Sequence, residues 1–282
     1  MSLIGIHINS HYEEFKNDAK KVYDNGGNII QIFVSSASKK ASSYYVELKG
    51  FLNLHYMKST IHASYSINLS RNWNEHSWWI KQFVNEINMA HVVGSDYIVV
   101  HLGKKMELTE FQATNNMYSS LLEIVNQLPL ENNVKILLET CAGQGTEILK
   151  NIEDLGNFYS KFKNHKNKKI SDRFGICLDT CHVFSAGNDI RGKQNIEKFM
   201  KLTDTHIGLE EIKLLHLNDS KTNIGSGIDR HANIGDGFIG KESLLMIAKL
   251  FIKLGTPIIL ETPSIDIMND LKIINKHHKD NN

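Results

Sequence analysis

The sequence predicts an α/β fold, a (β/α)8 TIM barrel, on three observations. Short apolar runs recur at intervals of roughly 25–45 residues, the rhythm of βα units. Amphipathic stretches with helical spacing lie between them. Within the runs, uniformly apolar positions alternate with mixed ones, as expected when one face meets helices and the other fills a barrel lumen. The strand candidates are 3–8, 29–34, 60–63, 97–102, 135–140, 174–180, 212–218 and 257–262. Helical patterns cover 12–24, 75–93, 109–127, 145–162 and 241–254, with a last one at 265–278. In the first strand Ile4, Ile6 and Ile8 share one face, and Gly5 and His7 share the other. In the seventh, Leu215 and Leu217 oppose Leu214, His216 and Asn218. A chain of 282 residues fits one such barrel as a single domain, 1–282. A doubly wound open sheet would normally need no eighth strand, and no G-x-G-x-x-G follows the first run.

Composition narrows the compartment more than the chemistry. No apolar run approaches ~20 residues, so no membrane-spanning helix is expected. The start, M-S-L-I-G-I-H-I-N-S, lacks the basic segment and cleavage site of a secretory signal. Cys141, Cys177 and Cys181 form no disulfide or zinc-ribbon pattern, which fits a reducing, intracellular setting. Cytoplasm, nucleus, organelle and virion all satisfy that. With a net charge of +1, a nucleic-acid partner would have to be met by a local basic patch. The 14 histidines are the unusual count and point toward metal chemistry.

Polar residues cluster at the strand ends. His62, His101, Glu139, Asp179, His216 and Glu261 each fall at the C-terminal end of a successive strand, from the third to the eighth. Parity places them on the lumen side: His101 with Val99, Glu139 with Leu137, Asp179 with Cys177, Glu261 with Ile259. That end of this fold carries active sites. His182 follows in the loop after the sixth strand. Asp229 and His231 come from the glycine-rich stretch 216–240, a long polar loop of the kind that carries function. Any one of them could be a hydrogen-bonded core histidine or a helix-capping aspartate. Nine together at one rim would be prohibitively costly without cations to neutralise them.

Nine such residues exceed the roughly four ligands of one zinc ion and suit two or three ions with a bridging carboxylate. Prominent imidazoles favour zinc or manganese over calcium. Two metals ~3.5–4 Å apart are a familiar device for phosphate ester hydrolysis.

Five segments then carry a resemblance: H-A-S-Y-S-I-N-L-S from His62, L-E-T-C-A-G-Q-G from Leu138, G-I-C-L-D-T-C-H from Gly175, H-L-N-D-S-K…D-R-H-A-N-I-G-D-G-F-I-G from His216, and L-E-T-P from Leu260. In this order, across nearly the whole chain, they resemble the motifs of the endonuclease IV family of abasic-site DNA repair enzymes. The resemblance implies a barrel with three metal ions, usually Zn2+, with Mn2+ as the alternative at one or more sites. His62, His101 and Glu139 would hold the first ion; Glu139, Asp179, His216 and Glu261 the second; His182, Asp229 and His231 the third. It implies hydrolysis of the phosphodiester 5′ to an abasic site in double-stranded DNA, leaving a 3′-hydroxyl and a 5′-deoxyribose phosphate, with trimming of blocked 3′ ends. Glu139 and Glu261 would be catalytic, Glu261 orienting the hydroxide that attacks phosphorus in line or deprotonating the water that supplies it. A monomer needing no obligate protein partner is expected, and no membrane.

Around this centre the resemblance makes Tyr65 a wedge that stacks at the lesion. Lys39, Lys40, Lys104, Lys105, Lys221 and Arg230 fall in loops at the same barrel mouth, where phosphate contacts are expected. The chain departs from the family at Ser66, where relatives usually carry an apolar side chain, and in 35–41, which has no arginine. Trp78 and Trp79 are expected to pack helix on barrel, the three cysteines to be buried thiols, His7 to lie behind the ring or in the core, and 165–169 to be a solvated loop. Two rivals remain. A sugar isomerase or epimerase on the same barrel, with one or two divalent ions, leaves His182, Asp229 and His231 unexplained. A DNA-binding scaffold with structural zinc would have closed sites, whereas three ligands per outer ion leave water positions open.

Overall fold

The computed structural model describes residues 2–34, 39–74 and 76–280. Eight parallel strands close into a barrel: β1 (Ile4–Ile8), β2 (Ile29–Phe33), β3 (Lys58–His62), β4 (Tyr97–His101), β5 (Lys135–Glu139), β6 (Phe174–Asp179), β7 (Ile212–His216) and, after a two-stranded ribbon of β8 (Asp219–Ser220) and β9 (His231–Ala232), β10 (Ile258–Leu260). Closure is direct, because β1 pairs with both β2 and β10. That excludes the open sheet.

The period-two pattern explains how the two faces are filled. Ile4, Ile6, Ile8, Leu215 and Leu217 face outward into the large core beneath the helices. Ile29, Val99, Leu137, Cys177, Leu214 and Ile259 form a separate, fully buried cluster inside the lumen. The helices that cover the barrel are α1 (Phe15–Asp24), α2 (Lys39–Leu54), α3 (Trp78–Val93), α4 (Glu110–Gln127), α5 (Ile152–Lys163), α6 (Lys168–Ser171), α7 (Thr180–Ser185), α8 (Gly192–His206), α9 (Lys241–Leu254) and α10 (Ile267–Asp280). Among the described residues no helix is long and apolar enough to cross a membrane.

Several expectations change. The fifth helix starts at Ile152, not at 145, because Gly143, Gly145 and Leu149 adopt left-handed backbone angles that a helix cannot include. The loop they form folds back on the β4 exit, where Lys104 and Glu147 make a bridge. His182 lies on the short helix α7, not in a loop, because the Asp179 side chain caps that helix at the His182 N–H, 2.9 Å away. The basic run near 165–169 enters α6, capped by Asn167, where a loop was expected. Trp79 is buried as anticipated, but Trp78 is 53% exposed. Lys39 and Lys40 open α2; their side chains lie outside the described residues.

Candidate metal centre

The barrel itself gathers the polar ring. His62, His101, Glu139, Asp179 and His216 are the last residues of β3 to β7, and Glu261 directly follows β10. Parallel register sets His101 beside Glu139 and Asp179 beside His216. Three groups made only of histidines and carboxylates result, each with ligand atoms within 4.8 Å of one another: His62, His101 and Glu139; Glu139, Asp179, His216 and Glu261; His182, Asp229 and His231. Glu139 is shared by the first two.

In the first and third groups the central atoms aim at one another without bonding. Glu139 Oε2 lies 3.3 Å from His62 Nε2 and 3.1 Å from His101 Nε2. Asp229 Oδ2 lies 3.2 Å from His182 Nε2, and its Oδ1 3.2 Å from His231 Nε2. Yet Glu139 Oε2, His182 Nε2 and His231 Nε2 are buried with no hydrogen-bond partner among the described residues. Orphaned buried polar atoms are costly, and these face shared points where a cation would satisfy them.

The other ring nitrogens explain why. His62 Nδ1–H donates to the Ala63 carbonyl (2.8 Å), His182 Nδ1–H to the Thr140 carbonyl (2.7 Å), and His231 Nδ1–H to the Glu261 carbonyl (3.1 Å). A carbonyl only accepts, so each Nδ1 carries a proton and each Nε2 faces inward, where its lone pair is available to an ion once the ring is neutral. Metal-ligating histidines are held this way.

Charge in the cluster is compensated internally. Burial opposes ionisation of Glu139 and Glu261, but His101 and His216 around the first, and His216 and His7 around the second, hold both well below the usual carboxylate range. Asp229 is held low against burial by His182 and His231. Burial wins at Asp179, whose pKa is raised, and at His101, which is pushed down to about 4. Burial also opposes charge on His231, yet Asp229 and Asp179 lift it to about 9. The three thiols are buried and pushed up to about 12, chiefly by desolvation. Cys177 and Cys181 approach the same carboxylates and histidines, but as neutral thiols they are poor ligands.

The glycine-rich stretch folds around Asp219. Its buried carboxylate accepts the N–H groups of Ser220, Gly235, Gly237 and Ile239 at 2.8–3.1 Å. A Cβ at Gly237 would lie 2.4 Å from the Ser220 carbonyl and 2.5 Å from Asp219 Oδ1, so only glycine fits. The ribbon β8–β9 brings Lys221 N–H to the Arg230 carbonyl (2.9 Å), which sets these two exposed cations side by side next to Asp229.

A cleft of about 480 Å³ runs from His101 and Asp229 past Tyr65, Arg71, Trp78 and Lys104. Tyr65 is 68% exposed and its ring sits 5.2–5.3 Å from those of Phe33, His62 and His101. Lys104 opens onto the cleft, 3.6 Å from Glu147. Sequence reasoning missed Arg71 and the exposed side of Trp78. It also gave no role to two buried amides. Gln31 touches His7, His216 and Glu261. Asn218 donates to Asp179 Oδ2 (2.7 Å) and accepts the Glu261 N–H (2.8 Å). Only lumen parity, which puts Gln31 one pleat above Ile29, could have signalled the first.

Known proteins resemble the chain over nearly its full extent. A family model for the xylose isomerase-like TIM barrel matches residues 19–278. A protein of Acanthamoeba polyphaga mimivirus named putative endonuclease 4 is 31% identical over 278 residues, covering 94% of this chain and 86% of its own. The probable endonuclease 4 of Mycoplasma mobile is 35% identical over 272 residues, covering 94% and 92%. Endonuclease IV from Thermus thermophilus superposes with a TM-score of 0.78 at 23% identity, over 99% of both chains.

Proposed function

The chain belongs to the endonuclease 4 family of xylose isomerase-like barrels, and we propose that it hydrolyses double-stranded DNA on the 5′ side of abasic sites. The products are a 3′-hydroxyl and a 5′-deoxyribose phosphate, and blocked 3′ ends are trimmed by the same chemistry. The observation that carries this reading is the third group, His182, Asp229 and His231, set beside the two that share Glu139. A sugar isomerase or epimerase would leave it without a task. The nine residues His62, His101, Glu139, Asp179, His182, His216, Asp229, His231 and Glu261 are the proposed ligands of three divalent ions, zinc first, with manganese as the alternative. The whole chain, 1–282, acts as one barrel domain and as a monomer.

The bound ions supply Lewis acidity at phosphoryl oxygens and lower the pKa of water. The protein's own groups do the rest. Glu261, ionised against its burial and held by Gln31 and the Asn218 side chain, orients the attacking water and takes up its proton. Glu139, likewise ionised, holds His216 Nδ1 through Oε1 and turns Oε2 toward His62 and His101, where an ion would bridge them. Tyr65 stands over the ring to stack in the gap left by a missing base, where unstacking costs least. Lys221 and Arg230 on the ribbon and Lys104 across the cleft meet flanking phosphates, with Lys39 and Lys40 as further candidates. Arg71, at the cleft wall, supplies the guanidinium that 35–41 lacks.

A duplex oligonucleotide carrying one tetrahydrofuran abasic analogue tests this. The zinc-loaded protein should nick it once, 5′ to the analogue, and leave unmodified duplex and a panel of sugars untouched. An intact analogue strand would overturn the reading.

A further inference from the structure

His216 breaks the pattern of its neighbours. In His62, His182 and His231 the Nδ1–H is tied to a backbone carbonyl and Nε2 points inward. In His216 the inward atom is Nδ1, 2.7 Å from Glu139 Oε1 and 3.1 Å from Glu261 Oε2. Its Nε2 turns away, to a side-chain oxygen: Gln31 Oε1, at 2.9 Å.

We infer that Gln31 is a positioning residue whose amide couples Glu261 to His216 and fixes which atom each presents to the middle group. An amide has an acceptor end and a donor end. Glu261 Oε1 lies 2.6 Å from Gln31 Nε2. An ionised carboxylate only accepts, so the NH2 end must face Glu261 and the carbonyl end must face His216. The carbonyl then obliges His216 Nε2 to carry a proton, which leaves Nδ1 as the only ring atom able to ligate. The same bond occupies Glu261 Oε1 and leaves Oε2 for the centre. The second N–H of the amide reaches His7 Nδ1 at 2.9 Å, so His7 is held neutral with its proton on Nε2.

Position makes this geometry enforceable. Gln31 is fully buried on β2, paired in register between His7 on β1 and Thr60 on β3. Its amide is shielded from solvent, and each of its ends has a partner in the lumen. Rotating the amide by half a turn would put its carbonyl against the Glu261 carboxylate, two acceptors 2.6 Å apart, so this orientation is the one the site allows. Partners of this kind typically contribute about 10–100-fold to metal affinity.

The inference rests on the metal-centre reading, and the test separates the two. Total zinc bound by the purified protein reports the metal centre. Long-range 1H–15N spectra of the histidine rings report the inference. In the zinc-loaded protein the His216 ring should carry its proton on Nε2, whereas the His62, His182 and His231 rings carry theirs on Nδ1. Gln31→Met keeps the length and burial but removes both ends of the amide. In that variant one zinc ion should be lost to a chelator about 10–100-fold faster than from wild type, while the other ions leave at their original rates. A His216 ring protonated on Nδ1 in zinc-loaded wild type would overturn the inference, even with zinc fully bound. Unchanged loss of every ion from a folded Gln31→Met protein would do the same. If that variant does not fold, the wild-type spectrum still decides.

Discussion

Two layers of side chains fill the barrel lumen, one pleat apart on the same strands. The lower holds Ile29, Val99, Leu137, Cys177, Leu214 and Ile259. Two residues further along each strand, the upper holds Gln31, His101, Glu139, Asp179, His216 and Glu261. Backbone geometry is common to both, so the difference lies in what each layer can bury alone. The lower layer needs only apolar neighbours. The upper layer buries ionised groups that are tolerable only because they face one another and, on the proposed function, cations. The apolar floor also keeps water out from beneath, which strengthens every electrostatic interaction above it.

This division makes the layers separable by substitution. The largest effect should come from Glu139→Gln, which removes the charge shared by two groups. Turnover on the abasic duplex should fall by at least on the order of 10³-fold, with thermal stability of the metal-free protein altered far less. Leu137→Ala, one pleat below, should reverse the pattern. Loss of that buried side chain should cost about 2–5 kcal/mol of stability, seen as a lower denaturant midpoint, while the metal bound by the folded protein stays constant.

A smaller effect separates the layers by pH. His231 has its folded pKa raised from 6.5 to about 9 in the metal-free protein. A raised histidine contributes stability that is complete below pH 6.5 and is lost as pH climbs through about 9. Metal needs the neutral ring, so uptake at the third group should strengthen over the same window and release protons. Titration calorimetry in two buffers of different ionisation enthalpy measures that release, and none at neutral pH would contradict the assignment. The smallest effect belongs to the rim. Lys221→Ala should weaken duplex binding uniformly and lower the salt slope of log affinity by about 1.

How far the chain could be read in advance follows the same division. Strand parity is rigid: a one-residue slip would turn Leu137 and Glu139 outward and put Ile136 and Leu138 in the lumen, so the lumen faces were legible from alternation alone. The rim residues could then be placed by counting. Features without a period escaped. Trp78 and Trp79 are neighbours on one helix, and nothing in the pair says which faces the core. α7 is one short turn whose cap, Asp179, is also a rim carboxylate. The ribbon that sets Lys221 beside Arg230 has two residues per strand, too few to alternate. Gln31 carries no charge, so its place in the upper layer looked like an ordinary strand position.

The central claim is that the histidines and carboxylates of the upper layer, with His62 and the adjoining His182, Asp229 and His231, form one centre for three ions. Metal analysis of the protein purified without added metal, beside the Asp229→Ala variant, tests it most directly. The account predicts three equivalents of divalent metal in the first and two in the second. One equivalent in the wild-type protein, or a count unchanged by Asp229→Ala, would contradict it.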